Sequence, residues 1–96
     1  MELTIKGDVR EWRGPAPFHF VTVPAAQAEL IAEVAASVTY GWGMVPARLR
    51  IGSTDFTTTL WPKDGGGYVV PLKDAVRRAE GIELGDRVTI QLHLDV

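Results

Sequence analysis

The segment from residue 65 to 90 constrains the fold more than any other part of the chain. Three glycines precede a short apolar stretch at 68–70, and a helical pattern follows over 72–80. Pro71 is typical of a helix start, where its missing N–H has no intrahelical partner to lose, and Gly81 is typical of the left-handed residue that ends a helix. A Gly-Asp pair then predicts a tight turn into a last strand. The segment therefore predicts a strand, a helix and a strand in one compact unit.

The rest of the chain contains further stretches in which apolar and polar residues alternate, and this period of two is typical of half-buried strands. Strands are predicted over 1–11, 18–23, 45–51 and 54–61. Pro15 and Pro17 end the first of these, because proline lacks a backbone donor and has a fixed φ. A Gly-Ser pair is short enough to form a hairpin turn between the last two.

Two helices are predicted, and Pro24 begins the first. Their expected buried faces follow helical spacing: Leu30, Ile31, Val34, Ala35 and Val38 in the first helix, and Leu72, Ala75, Val76 and Ala79 in the second. Several short strands with two short helices predict a mainly β protein, a small barrel of about six strands with accessory helices.

Composition bounds the class of protein. With 96 residues, 46% hydrophobic and 23% charged, the chain is expected to be a single globular domain over 1–96. Its formal charge of −2 argues against a dedicated nucleic-acid binder, which is usually basic. The absence of cysteine excludes disulfides, thiolate nucleophiles and cysteine-ligated zinc. No apolar run approaches the about 20 residues that span a bilayer, and the alternating N-terminus lacks a signal core, so we expect a cytoplasmic protein without a membrane partner.

Three ordered blocks carry a resemblance to a known family: Trp12–Val21 (WRGPAPFHFV), Gly41–Pro46 (GWGMVP) and Thr59–Gly65 (TLWPKDG). Together with the C-terminal unit they resemble the bacterial domain-of-unknown-function family numbered 1905, over nearly the whole chain. The resemblance implies a small double-split β-barrel. It implies no catalytic residues, because the family has no established activity.

The C-terminal unit is also similar to the swapped-hairpin half of AbrB and MazE-type transcription factors. The similarity lies in Val70-Pro71, the helix over 72–80 and the run GIELGDRV that begins at Gly81. It implies barrel topology and makes a homodimer plausible, because related barrels complete themselves by exchanging hairpins. It bears less on operator binding, since the pattern follows from local helix and turn chemistry alone.

The leading hypothesis is a non-catalytic binding module that holds a small anionic or aromatic ligand at the barrel mouth. Tryptophans offer stacking faces and N–H donors, while arginine and lysine bind carboxylate or phosphate. The residues expected to bind are Trp12, Arg13, Trp42, Arg48, Trp61 and Lys63. The alternative interpretation of the tryptophans is that they close the open ends of the barrel.

The sequence also allows two alternative functions. A dimeric nucleic-acid-binding barrel would use Arg48, Arg50, Lys73 and Arg77, although arginines on an outward strand face are more often solvated or paired. A small barrel enzyme or cyclase would require Asp64, Glu11 or His19 to face a pocket. No catalytic set is predicted, because neither Ser37 nor Ser53 lies in a nucleophile elbow. The two histidines lack metal-ligand spacing, so neither a metal nor a cofactor is expected.

Overall fold

The computed structural model describes residues 1–38 and 43–95, and the protein is mainly β in that part of the chain. Seven strands and two helices follow one another in this order: β1 (Glu2–Asp8), β2 (Arg10–Trp12), β3 (Phe18–Thr22), α1 (Ala25–Val38), β4 (Val45–Ile51), β5 (Thr54–Pro62), β6 (Tyr68–Leu72), α2 (Asp74–Glu80) and β7 (Arg87–His93). The predicted alternating stretches and both predicted helices are therefore present.

The described strands form one antiparallel sheet in the order β1-β7-β4-β5-β6-β3-β2, and this sheet curls into a half-barrel. Its two end strands, β1 and β2, are neighbours in sequence. β1 pairs with β7 and β2 pairs with β3, while no ladder joins β1 to β3 in the described residues. A closed barrel of about six strands, as predicted, is thus not confirmed.

The predicted first strand over 1–11 is divided at Val9. The Val9 N–H donates to the Asp86 carbonyl at 2.8 Å, and the Val9 carbonyl accepts from the Gly85 N–H at 2.8 Å. Val9 is itself buried in the core. The alternating stretch over 1–11 therefore forms two strands with different partners. β1 pairs with β7, the chain leaves β7 at Val9, and β2 then pairs with β3.

The core lies on the inner face of the curled sheet. β4 alternates strictly between buried and exposed residues, as the sequence predicted, and the buried positions of β7 are Val88, Ile90 and Leu92. Ala28 and Ile31 of α1 and Val76 of α2 join the same apolar cluster. The core therefore combines one face of the sheet with one side of each helix.

The two helices correct parts of the predicted buried faces. Leu30 is 42% exposed, and Ala28 takes the buried position beside Ile31 instead. In α2, Ala75 and Ala79 are exposed, while Val76 is buried. Alanine occurs in helices because of its high helix propensity, whether its position is buried or not. This explains why Ala75 and Ala79, which were predicted to be buried, are exposed. No helix in the described ranges is both long and apolar enough to cross a membrane.

The second helix begins later than its sequence predicted. Pro71 and Leu72 belong to β6 and pair with Phe20 and His19 of β3, so this ladder keeps them extended. Helical geometry starts only after Lys73, whose φ of −70° and ψ of 151° are extended. Strand pairing has therefore overridden the helix-start preference of proline at this point.

The predicted helix stop at Gly81 is confirmed. Gly81 has a φ of 63° and a ψ of 35°, and the Ile82 N–H donates to the Arg77 carbonyl at 2.9 Å. The turn that follows is also present, since the Asp86 N–H donates to the Glu83 carbonyl at 3.0 Å. These bonds set the direction in which β7 leaves the helix.

Gly81→Ala is expected to lower the free energy of unfolding by about 1–2 kcal/mol, because a Cβ disfavours the left-handed conformation. A methyl at this position would meet no atom within 4 Å, so backbone strain alone causes the loss. Urea unfolding followed by circular dichroism measures it. Gly81→Asn is the matched control and should lose less, since asparagine tolerates this conformation. Equal losses in the two variants would contradict the explanation.

Candidate functional site

Four aromatic side chains form a connected group on the sheet, here called the aromatic cluster: Trp12, Phe18, Phe20 and Trp61. Phe18 is at its centre. Its ring centroid lies 5.7 Å from that of Trp12, 5.6 Å from that of Phe20 and 4.8 Å from that of Trp61, the last in an edge-to-face arrangement at 70°. The cluster therefore joins two of the tryptophans that the sequence singled out, through a residue it did not.

Strand alternation explains why these rings share a face. In β3, Phe18 and Phe20 alternate with His19 and Val21, and Val21 is fully buried in the core. The two phenylalanines thus project from the outward face of the sheet. Trp12 lies directly opposite Phe18 in the β2–β3 pair and projects in the same direction.

Trp12 is the most accessible member of the aromatic cluster. It is 47% exposed, whereas the other three rings are half-buried. Its indole folds over Gly14, where an added Cβ would overlap the six-membered ring. The glycine of the Gly-Pro-Ala-Pro segment therefore allows the indole to lie against the backbone and to present its other surface to solvent.

Positive charge adjoins the aromatic cluster on the outward face. Arg10 is directly opposite Phe20, and no ion pair or hydrogen bond holds its side chain among the described residues. Lys73 follows β6, and its ammonium donates to the Thr57 carbonyl at 3.0 Å. Among the outward positions of the described strands β2, β3, β6 and β5, Asp55 is the only carboxylate.

The other residues predicted for a barrel mouth are separated from one another. Arg13 adjoins Trp12 and donates through Nε to Glu11 Oε1 at 2.7 Å. Lys63 lines a groove between the glycine-rich loop and the start of α1. Arg48 lies on β4 and donates to Asp95 Oδ1 at 3.2 Å. Trp42 lies outside the described residues. The structure thus brings together Trp12 and Trp61 through Phe18, leaves Arg13 bound to Glu11, and places Arg48 and Lys63 elsewhere.

The arginines of the nucleic-acid alternative each have a carboxylate partner. Arg50 Nη1 contacts both oxygens of Asp55 at 3.1 Å, Arg77 pairs with Asp74, and Arg48 pairs with Asp95. Such exposed pairs contribute little to stability, but each cancels the local charge that a phosphate would feel. Lys73, the fourth residue of that set, has no carboxylate partner among the described residues.

A polar groove of about 850 Å³ lies on the outward face of the half of the sheet that β1, β7, β4 and β5 form. Its lining residues include Glu2, Arg48, Thr57, Gln91 and His93. His93 Nδ1 faces Glu2 Oε1 at 3.3 Å, and His93 Nε2 faces Asp95 Oδ1 at 3.1 Å. Arg48 shares the same Asp95 oxygen. These charged side chains of the groove are therefore paired with one another.

Of the residues named for an enzyme, His19 and Glu11 lie together, with His19 Nε2 3.8 Å from Glu11 Oε2, whereas Asp64 belongs to the loop between β5 and β6. Within residues 1–38 and 43–95, no three His, Asp or Glu side chains come together as metal ligands.

Sequence reasoning missed Phe18 and Phe20 as site residues, because a Phe-x-Phe stretch is also what an ordinary strand contains. The usable signal was their alternation with the buried Val21, which places both rings on the face opposite the core. That Trp61 would reach the same rings depended on strand order and could not be read from spacing.

Comparison with protein families gives one result. Residues 6–92 match the family model described as Domain of unknown function (DUF1905), which covers nearly the whole chain and confirms the resemblance found in the sequence. Comparison with curated proteins gave no match.

Proposed function

The chain belongs to the DUF1905 family, and we propose that it acts as a non-catalytic binding module whose aromatic cluster holds a small ligand that is both planar and anionic. The family description assigns no activity.

The observation that carries the proposal is the contact of Phe18 with both Trp12 and Trp61. These contacts make one apolar surface from residues of three strands. Aromatic rings prefer offset or edge-to-face neighbours, and such a pair contributes about 0.5–1.5 kcal/mol beyond the burial of its area. A planar ligand placed on the exposed side of Trp12 would extend the same packing.

The charges beside the cluster support an anionic ligand. Arg10 and Lys73 lie on the same side of the sheet as the rings, and neither has a carboxylate partner among the described residues. Arg13 follows Trp12 in the chain, but its guanidinium is held by Glu11. A carboxylate or phosphate on the ligand could accept from Arg10 through two parallel N–H donors.

Trp12→Ala is expected to weaken binding of a planar anion at least about fivefold, since one aromatic stacking contact is worth about 1–3 kcal/mol. The probes are adenosine monophosphate and indole-3-acetate, with succinate as the anion that lacks a ring. Tryptophan fluorescence and isothermal titration calorimetry measure the affinity. Trp12→Phe should retain most of it, because a ring remains.

Leu84→Ala is the matched control, since Leu84 is an equally exposed apolar residue at 49% and lies in the turn before β7. It should leave the affinity unchanged. Equal weakening by Leu84→Ala and Trp12→Ala would overturn the proposal, as would succinate binding as tightly as the two ring-containing probes.

A further inference from the structure

We propose that the small planar anions held by the aromatic cluster are the nucleotide units of a single-stranded nucleic acid, an inference that rests on the binding function proposed above. The proposed surface does not include the arginines of β4 and α2. The proposed ligand is a strand of unpaired bases and not a duplex. Three properties of the cluster lead to this inference: its extent, the tilt of its rings and the charge around it.

The first property is extent. Trp12, Phe18 and Trp61 belong to β2, β3 and β5, with β6 between the last two. The ring centroids converge above the strands, since Phe18 lies 5.7 Å from Trp12 and 4.8 Å from Trp61. A group of four contacting rings is still larger than one nucleobase or one small aromatic acid. A surface of this size suits successive planar groups carried on one chain.

The second property is the orientation of the rings. The Phe18 ring is inclined by 39° to the Trp12 indole, by 48° to Phe20 and by 70° to the Trp61 indole. A flat platform for an extended sugar chain would need coplanar rings. Differently tilted rings instead match a flexible strand whose bases are unstacked from one another and lie at different angles. A duplex offers no free base faces, so its bases could not use this surface.

The third property is charge. Arg10 and Lys73 lie beside the rings, at Phe20 and at the end of β6 respectively. Asp55, the one carboxylate among the outward positions of these described strands, is held by Arg50. A phosphate backbone would therefore meet cations near the cluster, and the outward positions of the described strands β2, β3, β5 and β6 hold no unpaired carboxylate. Cations that follow the backbone while aromatic side chains stack on the bases are the usual means of binding single strands.

Because the whole chain has a formal charge of −2, we expect few phosphate contacts and a weak dependence of the affinity on salt. With Arg10 and Lys73 as the phosphate contacts, the plot of log affinity against log salt should have a slope near about −1.4, since each contact to a single strand contributes about −0.7. Stacking, which salt affects little, should supply most of the affinity.

The test measures fluorescence anisotropy of labelled oligouridylate and oligothymidylate of about eight nucleotides, a length within the site sizes of OB folds that bind single strands. The same sequences as duplexes and the corresponding mononucleotides are measured in parallel. We expect affinity to rise at least about tenfold from mononucleotide to oligomer and to exceed that for the duplex by a similar factor. Quenching of tryptophan emission should accompany binding.

Variants link the binding to the cluster. Trp12→Ala should weaken oligomer binding at least about fivefold, and Trp12→Phe should retain most of the affinity. Arg10→Gln should make the salt slope shallower by about 0.7. Arg78→Gln is the matched control, because it removes the same charge from an exposed position on α2 and should change neither quantity. Thermal melts of all variants establish that each is folded.

The outcomes separate this inference from the proposed function. Binding of mononucleotide and indole-3-acetate that Trp12→Ala abolishes, without tighter binding of the oligomer, would overturn the nucleic-acid inference and leave the binding module standing. Failure of every planar anion to bind would overturn both. Equal affinity for duplex and single strand, or equal losses in Arg10→Gln and Arg78→Gln, would overturn the inference, because either result would indicate non-specific charge attraction. Self-association that Trp12→Ala removes, seen by sedimentation without ligand, would overturn both proposals, because it would assign the cluster to an interface between copies of the chain.

Discussion

Ile90→Ala is expected to lower the free energy of unfolding by about 3–4 kcal/mol, because it removes buried methyl groups and leaves a cavity in the middle of the sheet. Ile90 is fully buried and lies opposite Ile5, with β7 between β1 and β4. Its neighbours belong to three adjacent strands and cannot all move into the space. Since a small domain has about 5–15 kcal/mol of stability in total, this one change removes a large part of it.

Urea and thermal unfolding followed by far-ultraviolet circular dichroism would measure the loss. For a domain of this size we expect the Tm to fall by more than about 12 °C. Gln91→Ala on the same strand is the control, and it should alter stability by less than about 0.5 kcal/mol, because Gln91 is exposed. A loss below about 1 kcal/mol for Ile90→Ala would mean that the core is not organised around this strand.

Gly7→Val is expected to destabilise the protein by about 2–3 kcal/mol by overpacking. A Cβ at Gly7 would lie 2.7 Å from Val21 Cγ1 and 3.4 Å from the Thr22 carbonyl oxygen. The two additional methyl groups of valine would extend the clash. Gly7 is the point at which β1 approaches β3, so the substitution should force apart these two strands, which the curl of the sheet brings together.

A double-mutant cycle makes the cause testable. Val21→Ala alone should destabilise, because Val21 is buried, but in the Gly7→Val background it should cost less than in the wild type, since it removes the clashing methyl. Lys6→Val is the control at an exposed position of β1 and should be nearly neutral. Additive effects of Gly7→Val and Val21→Ala would show that the two residues do not contact one another.

The sequence predicted local structure well where a residue's own preference decides it. Gly81 ends α2 in the left-handed conformation, as its lack of a Cβ allows, and the alternation of β4 gave its buried face without error. It failed where a second segment decides. Pro71 and Leu72 remain extended because β3 pairs with them, and nothing in their own sequence announces that partner.

The candidate site divides in the same way. The sequence identified Trp12, Trp61 and Arg13 as residue types suited to binding, but it assigned them to a barrel mouth together with Arg48 and Lys63. The structure places Arg48 in the polar groove and Lys63 beside α1, and it joins the two indoles through Phe18. Which side chains meet depended on the strand order, and a single sequence does not encode that order locally.

By itself, the sequence determined the class of the protein, its family, the alternating strands and the glycine-dependent turns, because period, composition and backbone freedom belong to each segment separately. Only the tertiary structure decided that the N-terminal stretch is divided at Val9, so that its two parts, β1 and β2, form the two end strands of the sheet. It also decided that Trp12, Phe18 and Trp61 form one surface. The physical reason is that strand pairing and the curl of the sheet arise from contacts between residues far apart in the chain, where burial of the whole core outweighs the preference of any one residue.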